Sequence, residues 1–345
     1  MPVSHIEFVL PVGSEHASGG NVYNAELVHA LTALGAAGVP GVPHVSTLTP
    51  ADFTRRIGEG VPGAYCVDSL NFREALVLAK KTPAQRALLV VHHLPSLEPG
   101  ILPEDWALAL ERDALPLFDA YLATSPFTAE LLGRRGIAPE RIMTVEPGLP
   151  AVELAALVPK PPFRALVVGN LIRRKGVLEL LHALGTTTTP ADSFEIDVIG
   201  RADLDPDYAI NVGRLITTVP ALADRVRWHA PVPYGEMGAY YRNAHLFLSA
   251  ASMETYGMAL AEARAHGLPI LALDGGHSRH HFTDGDDGRL FNSVRALTAG
   301  FLTLVRAPHA LTALFDRSRR TAAPGPSTWP RSAHHFVTEL ARVFP

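Results

Sequence analysis

A chain of 345 residues is about twice the usual domain size, so two domains are expected. With 47% apolar and 19% charged residues it has ample material for buried cores and lacks the composition of a disordered chain. A net charge of -4 without any Lys/Arg block argues against a nucleic-acid partner, and a single cysteine, Cys66, permits neither an internal disulfide nor a cysteine-based metal site.

The opening segment, "MPVSHIEFVLPVGSEHASGG", has no basic n-region and too short an apolar run for a signal peptide. No stretch nears the roughly 18 apolar residues of a membrane span. A soluble, cytoplasmic protein is expected, at most lying on a membrane surface. The sixteen histidines are scattered, and no "HH" pair has the i, i+4 spacing of a helical zinc site, so no metal is expected.

Taken in chain order, short β-rich runs alternate with Ala/Leu-rich helical ones. "IEFVL" (6–10) reads as a strand and "GNVYNAELVHALTALG" (20–35) as a helix. Residues 41–63, "GVPHVSTLTPADFTRRIGEGVPG", read as a loop-rich insert on the acceptor side; Arg55 and Arg56 within it allow peripheral membrane contact or an ordinary solvated face. "AYCV" (64–67), "ALLVVHH" (87–93) and "AYLATS" (120–125) follow as buried strands. "PFTAELLGRRG" (126–136) is a helix closed by Gly136, and "RIMTVEPG" (141–148) a last strand.

The proline cluster "VPKPPF" then reads as an interdomain linker, with domains at 1–158 and 164–325 on either side of 159–163. "RALVVGN", "FEIDVIG", "RVRWHA", "LFLSA" and "PILAL" supply the strands of the second half. "GVLELLHALG", "YGEMGAYYRNA" and "VRALTAGFLTLVRA" supply helices between them. A final helix from 327 to 344 is free to pack on either domain. Continuous apolar strands alternating with helices imply parallel sheets covered on both faces, an α/β architecture.

Chemistry-bearing residues concentrate in four places. In "SAASMETYGMALAEARAHGLPILALDGG", Glu254 falls in the loop after a strand and Glu262 inside a helix that begins near Gly257. They lie at most about 12 Å apart along that helix, close to the span of a nucleotide sugar from ribose to sugar ring. The amides from Tyr256 to Ala259, through Gly257 and Met258, form a helix N-terminus suited to a diphosphate. The plain alternative has Glu254 complementing the helix dipole and Glu262 solvated.

"LVVGNLIRRKGVLELL" places Gly169, Asn170, Arg173, Arg174 and Lys175 between a strand and a helix, where a cation can stabilise a departing phosphate. Gly19, Gly20 and Asn21 follow the first strand, where glycine lets amides approach a phosphate or hydroxyl; a tight turn is the alternative. His92 ends an apolar strand at a sheet edge, where a structural histidine is the alternative.

Jointly these stretches resemble the GT-B glycosyltransferases of the retaining, family 4 type (glycosyl transferases group 1). The likeness spans nearly the whole chain and is strongest from Ala165 to Leu290. It rests on "VVGNLIRRKGVLELLHAL", on the E-x7-E stretch, on "DGDDGRL" with Gly285 and Gly288, on "SPFTAELLGRRGIAPERIMTVEPGLP" and on the closing "STWPRSAHHF".

The resemblance implies two Rossmann-like domains facing each other across a cleft, the final helix from 326 crossing back to the first. It implies a metal-independent hexosyl transfer from a nucleotide-diphosphate sugar, UDP- or GDP-linked, to an acceptor hydroxyl, with no resident cofactor. Glu262 would bind the ribose, Glu254 the transferred sugar and Lys175 the diphosphate. His92 would approach the donor sugar, and the Gly19–Gly20 loop would close on the phosphate or acceptor. Lipids, saccharides, small molecules and proteins all occur as acceptors in the family. Same-face reaction is the usual description; double displacement by Glu254 is the rival.

Two departures stand out. Asn170 occupies the position where the family usually has an arginine, so Arg173 or Arg174 would have to reach in from the loop. "HSRHHFTDG" lacks the family's glutamate and is one residue longer. A catalytically degenerate GT-B protein serving as a partner is the non-enzyme alternative, and a nucleotide-sugar 2-epimerase the other enzyme class.

Overall fold

The computed structural model describes residues 3–11, 18–155, 158–322 and 328–345. These form two compact units: one from the opening strand, Gly20–Gly148 and the final helix, the other from Leu149 to residue 322. The division falls between Gly148 and Leu149, ahead of the proline cluster.

The first unit runs β1 (His5–Val9), α1 (Gly19–Ala36), β2 (His44–Leu48), α2 (Pro50–Gly58), β3 (Gly63–Asp68), α3 (Phe72–Ala75), β4 (Gln85–Val91), α4 (Trp106–Ala114), β5 (Ala120–Ala123), α5 (Pro126–Arg134) and β6 (Ile142–Thr144). Its sheet has the order β2-β1-β3-β4-β5-β6, every pair parallel. Strands of a parallel sheet are joined by crossovers that cover both faces, which is why β3, β4 and β5 are apolar on both sides. Val67, Leu89, Tyr121 and Phe53 lie together in one face of this core. In α5, Ser125 caps the start through its Oγ, which accepts from Thr128 N–H; Pro126 opens the first turn and Gly136 leaves the helix at φ +82°.

Residues 41–63 are not a loop-rich insert. They contain β2, paired in register with β1 from His5–His44 to Val9–Leu48, and the helix α2. β2 was illegible because an edge strand is only half covered, so its sequence HVSTL mixes polar and apolar residues. α2 carried clear signs: Thr49 caps it, Pro50 opens it, and Phe53 and Ile57 bury one face at i, i+4. Arg55 pairs with Asp52 and Glu59, and Arg56 with the buried Glu7, so neither charge is presented alone.

The second unit runs β7 (Phe163–Val168), α6 (Val177–Thr187), β8 (Phe194–Ile199), α7 (Pro206–Thr218), α8 (Pro220–Ala223), β9 (Val226–His229), α9 (Met237–Asn243), β10 (Leu246–Ser249), α10 (Met258–Ala265), β11 (Ile270–Leu273), β12 (Gly288–Phe291), α11 (Val294–Val305) and α12 (Pro308–Thr321). Its sheet is also all parallel, in the order β12-β11-β10-β7-β8-β9. One face packs Leu180, Leu184, Val198 and Phe301; the other packs Leu166, Tyr241, Phe247 and Leu260. The final helix, α13 (Trp329–Val343), belongs to the first unit, where Ser332 Oγ donates to Glu146 O and Phe336 meets Phe8. Among the described residues no helix is long and apolar enough to cross a membrane.

Glycines set the close crossings at the carboxyl ends of the second sheet. A Cβ on Gly200 would fall 1.9 Å from Gly169 O, and one on Gly176 would fall 2.3 Å from Ala250 O. Gly176 also sits at φ +66°. A Gly176→Ala substitution therefore combines left-handed strain with a backbone clash, and is expected to destabilise the unit by roughly 2–4 kcal/mol. Urea unfolding followed by circular dichroism checks it; a loss below about 1 kcal/mol would mean the loop yields easily.

Candidate functional site

In an open parallel sheet, ligands bind beyond the carboxyl ends of neighbouring strands whose connections leave in opposite directions. In the second unit that point lies between β7 and β10, since β7 continues to β8 while β10 continues to β11. The loops leaving these two strands carry the charged residues singled out in the sequence.

The loop after β7 makes a 3-10 turn at Arg173–Lys175 before Gly176. It is fastened to the loop after β10, because Ser252 N–H donates to Arg174 O (2.9 Å) and an Arg174 Nη donates to Met253 O (2.8 Å). Lys175 Nζ donates to Glu254 Oε1 at 2.5 Å, and the same Arg174 guanidinium lies 4.0 Å from Glu254 Oε2. Burial pushes the Glu254 carboxyl up, but the charges of Lys175 and Arg174 and the Lys175 hydrogen bond outweigh it and hold the group below its ordinary value. Two cations thus face one carboxylate, leaving the cluster net positive.

Arg173 goes the other way. Its side chain is 77% exposed and approaches Asp205 at 3.9 Å. Gly169 and Asn170 lie where β7 ends; a Cβ on Gly169 would come within 3.3 Å of Lys175 Cδ, so the missing side chain gives the lysine stem its path.

Gly257, at φ +93°, turns the chain into α10 and is its cap residue, so the helix proper starts at Met258. The first intrahelical bonds are donated by Leu260 and Ala261 to Gly257 O, which leaves the Met258 and Ala259 amides ahead of the ladder, at the positive end of the helix. Tyr256 is buried, and its carbonyl is 2.6 Å from His281 Nε2. The segment "HSRHHF" lies along this loop: His277 N–H donates to Glu254 O (2.8 Å), and His277 and His281 pack on the Tyr256 ring. The lengthened stretch is therefore a wall of the loop that carries Glu254.

Glu262 is buried, which rules out the solvated alternative for it. Tyr241 Oη donates to Glu262 Oε2 at 2.6 Å, and the Tyr234 hydroxyl acts on the same carboxyl. Burial raises the Glu262 carboxyl to about 7, and the two tyrosine hydroxyls only partly oppose it. Tyr241 and Tyr234 were missed in the sequence, where "YGEMGAYYRNA" reads as an ordinary helix.

In the first unit the corresponding point lies between β1 and β3, beyond whose ends stand the first turn of α1, Asp68 and, one strand over, His92. Gly19, Gly20 and Asn21 form the opening turn of α1, at the helix start where the sequence puts them; residues 12–17 lie outside the described residues. The reason is that Tyr23 and Leu27 bury one face of the helix and draw its start up to Gly19. A Cβ on Gly20 would stand 3.0 Å from the His92 ring, so glycine is needed there for close packing. The His92 side chain is 11% exposed, and burial lowers its basicity against the opposing pull of Asp68. Among the described residues no three His, Cys, Asp or Glu side chains are gathered as a metal site.

Residues 162–307 match the family described as glycosyl transferases group 1. The chain is 29% identical over 263 residues to D-inositol 3-phosphate glycosyltransferase 1 of Catenulispora acidiphila, covering 68% of this chain and 59% of that relative, so it spans about three-fifths of the relative's length. Among solved structures, sucrose-phosphate synthase from Thermosynechococcus elongatus superposes with a TM-score of 0.77 at 18% identity, over 99% of both chains. Anabaena HepE in complex with UDP and glucose superposes with a TM-score of 0.73 at 14% identity, over 98% of this chain and 99% of that one. These likenesses, with the two parallel six-stranded sheets, identify the fold as GT-B.

Proposed function

We propose that the chain is a retaining, metal-independent glycosyltransferase that moves a sugar from a nucleotide-diphosphate donor to an acceptor hydroxyl. The observation that carries this reading is the Lys175–Glu254–Arg174 cluster beside the N-terminus of α10. A departing nucleoside diphosphate gains negative charge as its bond to the anomeric carbon breaks. Lys175, Arg174 and the Met258 and Ala259 amides are the groups that meet this charge. Arg174 takes the place left by Asn170, since Arg173 points to solvent.

Glu254 then exchanges the lysine for hydroxyls of the transferred sugar, while Glu262 accepts from the ribose. The bond electrons leave with the diphosphate, the acceptor oxygen attacks the same face, and its proton passes to the leaving phosphate. The family match and the relatives' names support the transferase reading over a degenerate binding protein. HepE, solved with UDP, makes UDP-sugars the first donors to test, and the D-inositol 3-phosphate enzymes make a phosphorylated polyol the first acceptor.

Calorimetry and thermal shift with UDP-, GDP- and ADP-glucose, each with and without EDTA, test the proposal. One nucleotide series is expected to bind, unaffected by EDTA. Arg174→Ala should weaken it tenfold or more, roughly the 1.4 kcal/mol or greater of a charge-assisted contact, whereas Arg173→Ala should stay within about twofold. Absence of binding by every series would overturn the reading.

A further inference from the structure

A buried hydrogen-bond network at the switch point of the first sheet extends beyond the groups discussed so far. Asp68, the last residue of β3, is 1% exposed. Its Oδ1 accepts from Leu70 N–H (2.8 Å) and its Oδ2 from Asn24 Nδ2 (2.6 Å). Asn24, on α1, is 2% exposed and places its other amide atom, Oδ1, 2.9 Å from His92 Nε2. Asp68 Oδ2 itself lies 3.6 Å from that same ring nitrogen.

The polarity of this chain of contacts is determined from one end. An ionised carboxylate can only accept, so Asn24 must turn its NH2 toward Asp68. That leaves the Asn24 carbonyl oxygen facing His92, and a carbonyl oxygen also only accepts. His92 Nε2 must therefore carry the proton, and Nδ1 of the neutral ring is then the acceptor nitrogen. The ring has little freedom to escape this arrangement. Gly20 packs on one side, where even a Cβ would be too close, and Tyr23 meets the ring edge-on with centroids 5.1 Å apart. Burial keeps the imidazole in its neutral form.

We propose that Asn24 and Asp68 are positioning residues that lock His92 as its Nε2–H tautomer, so that Nδ1 meets a substrate hydroxyl as a hydrogen-bond acceptor. The substrate role rests on the transferase reading above; the tautomer does not. The ligand class follows from the polarity: a group that donates, such as a sugar or polyol hydroxyl, is matched, and an ether or carbonyl oxygen at the same place is rejected. Asn24 and Asp68 act through His92 and need not touch the substrate.

The test is a long-range proton–nitrogen correlation spectrum of the histidine rings at pH 7, with His92 assigned by comparison with His92→Gln. Wild type is expected to show Nε2 protonated and Nδ1 bare. Asp68→Asn is isosteric but offers an NH2, so Asn24 can turn over and present its own NH2 to His92. The tautomer should then switch to Nδ1–H. If Asp68→Asn does not fold, Asn24→Leu serves instead and should give a mixture of tautomers.

A wild-type ring protonated on Nδ1, or a tautomer indifferent to both substitutions, overturns the proposal. Turnover of UDP-glucose with inositol 3-phosphate, measured on the same proteins, reports separately on the reaction. There Asp68→Asn should lower kcat by about a hundredfold with donor KM within threefold, the loss expected when the ring meets a substrate hydroxyl with a donor in place of an acceptor. A locked tautomer without turnover would leave this inference standing and count against the transferase reading alone.

Discussion

A Lys175→Met variant is expected to lose kcat by about 10²–10³-fold, the usual effect of removing one charge-stabilising donor from a reacting centre. Methionine keeps the stem that runs past Gly169 and removes the charge, so the loop geometry survives. Donor affinity should fall by much less than kcat, because Arg174 and the start of α10 remain to hold the diphosphate in the ground state.

The same substitution carries a signature in stability. In the wild type the Glu254 carboxyl is held below its ordinary value, against burial, by Lys175 and Arg174. A depressed carboxylate contributes stability above its unfolded value of 4.5, and that contribution is lost as pH falls through the lower folded value. The variant lacks the Lys175 share of it. It should be less stable than wild type by about 2–3 kcal/mol at pH 7, somewhat under the cost of fully breaking a buried pair, with the gap narrowing toward acid. Steady-state kinetics and urea melts at pH 7 and pH 4 read both effects. A kcat within threefold of wild type would remove Lys175 from the chemistry.

Glu262 leads to a result of opposite sign. Its carboxyl titrates near 7 in the free protein, yet ribose hydroxyls are best accepted by the carboxylate. Donor binding therefore has to release a proton, and affinity should fall about tenfold for each pH unit below 7 and level off above it. The raised group binds more protons when folded than unfolded between 4.5 and 7, so stability declines as pH rises through that window, by about 3 kcal/mol in all. Bound nucleotide should restore part of that loss.

Titration calorimetry at pH 6 in two buffers of different ionisation enthalpy measures the released proton directly. Glu262→Gln should bind weakly at every pH, with the slope gone. A donor affinity that stays flat from pH 5.5 to 8 in the wild type would mean that Glu262 does not meet the donor as a carboxylate.

What could be read in advance follows from how each signal is encoded. The strands are legible because a parallel sheet buried on both faces needs uninterrupted apolar runs, as in Ala87–Val91 and Ile270–Leu273. β2 escaped because an edge strand lacks that demand. Glu254 and Lys175 were visible because each sits near a glycine turn after a strand end, where a charge is out of place unless it has work or a partner, and Glu262 because it follows Glu254 by eight residues inside the next helix. Whether Arg173 or Arg174 turns inward was not visible, since two adjacent arginines in a 3-10 turn differ only in direction. Tyr241, Asn24 and Asp68 were hidden for another reason. Each acts through a contact across 21 to 68 residues of sequence, and only folding brings such pairs together. A lone aspartate ending the apolar run "GAYCVD" was the one local hint.

The outer strands have a consequence for how the chain behaves in a crowded solution. Both sheets are open, with β2, β6, β9 and β12 at their edges, where an extended segment could add; two of these edges are partly closed already, since Arg342 donates to Ile142 O of β6 and Asp284 Oδ1 accepts from Leu290 N–H of β12. They are only five, three, four and four residues long. Pro43 and Pro50 flank the first of them, and Pro231 and Pro233 follow β9, and proline has no N–H with which to lengthen a ladder. A foreign strand would find too few consecutive bonds to stay. Resistance to edge-to-edge aggregation is thus written into strand length and proline placement, and lengthening β2 by replacing Pro43 would be the direct way to lose it.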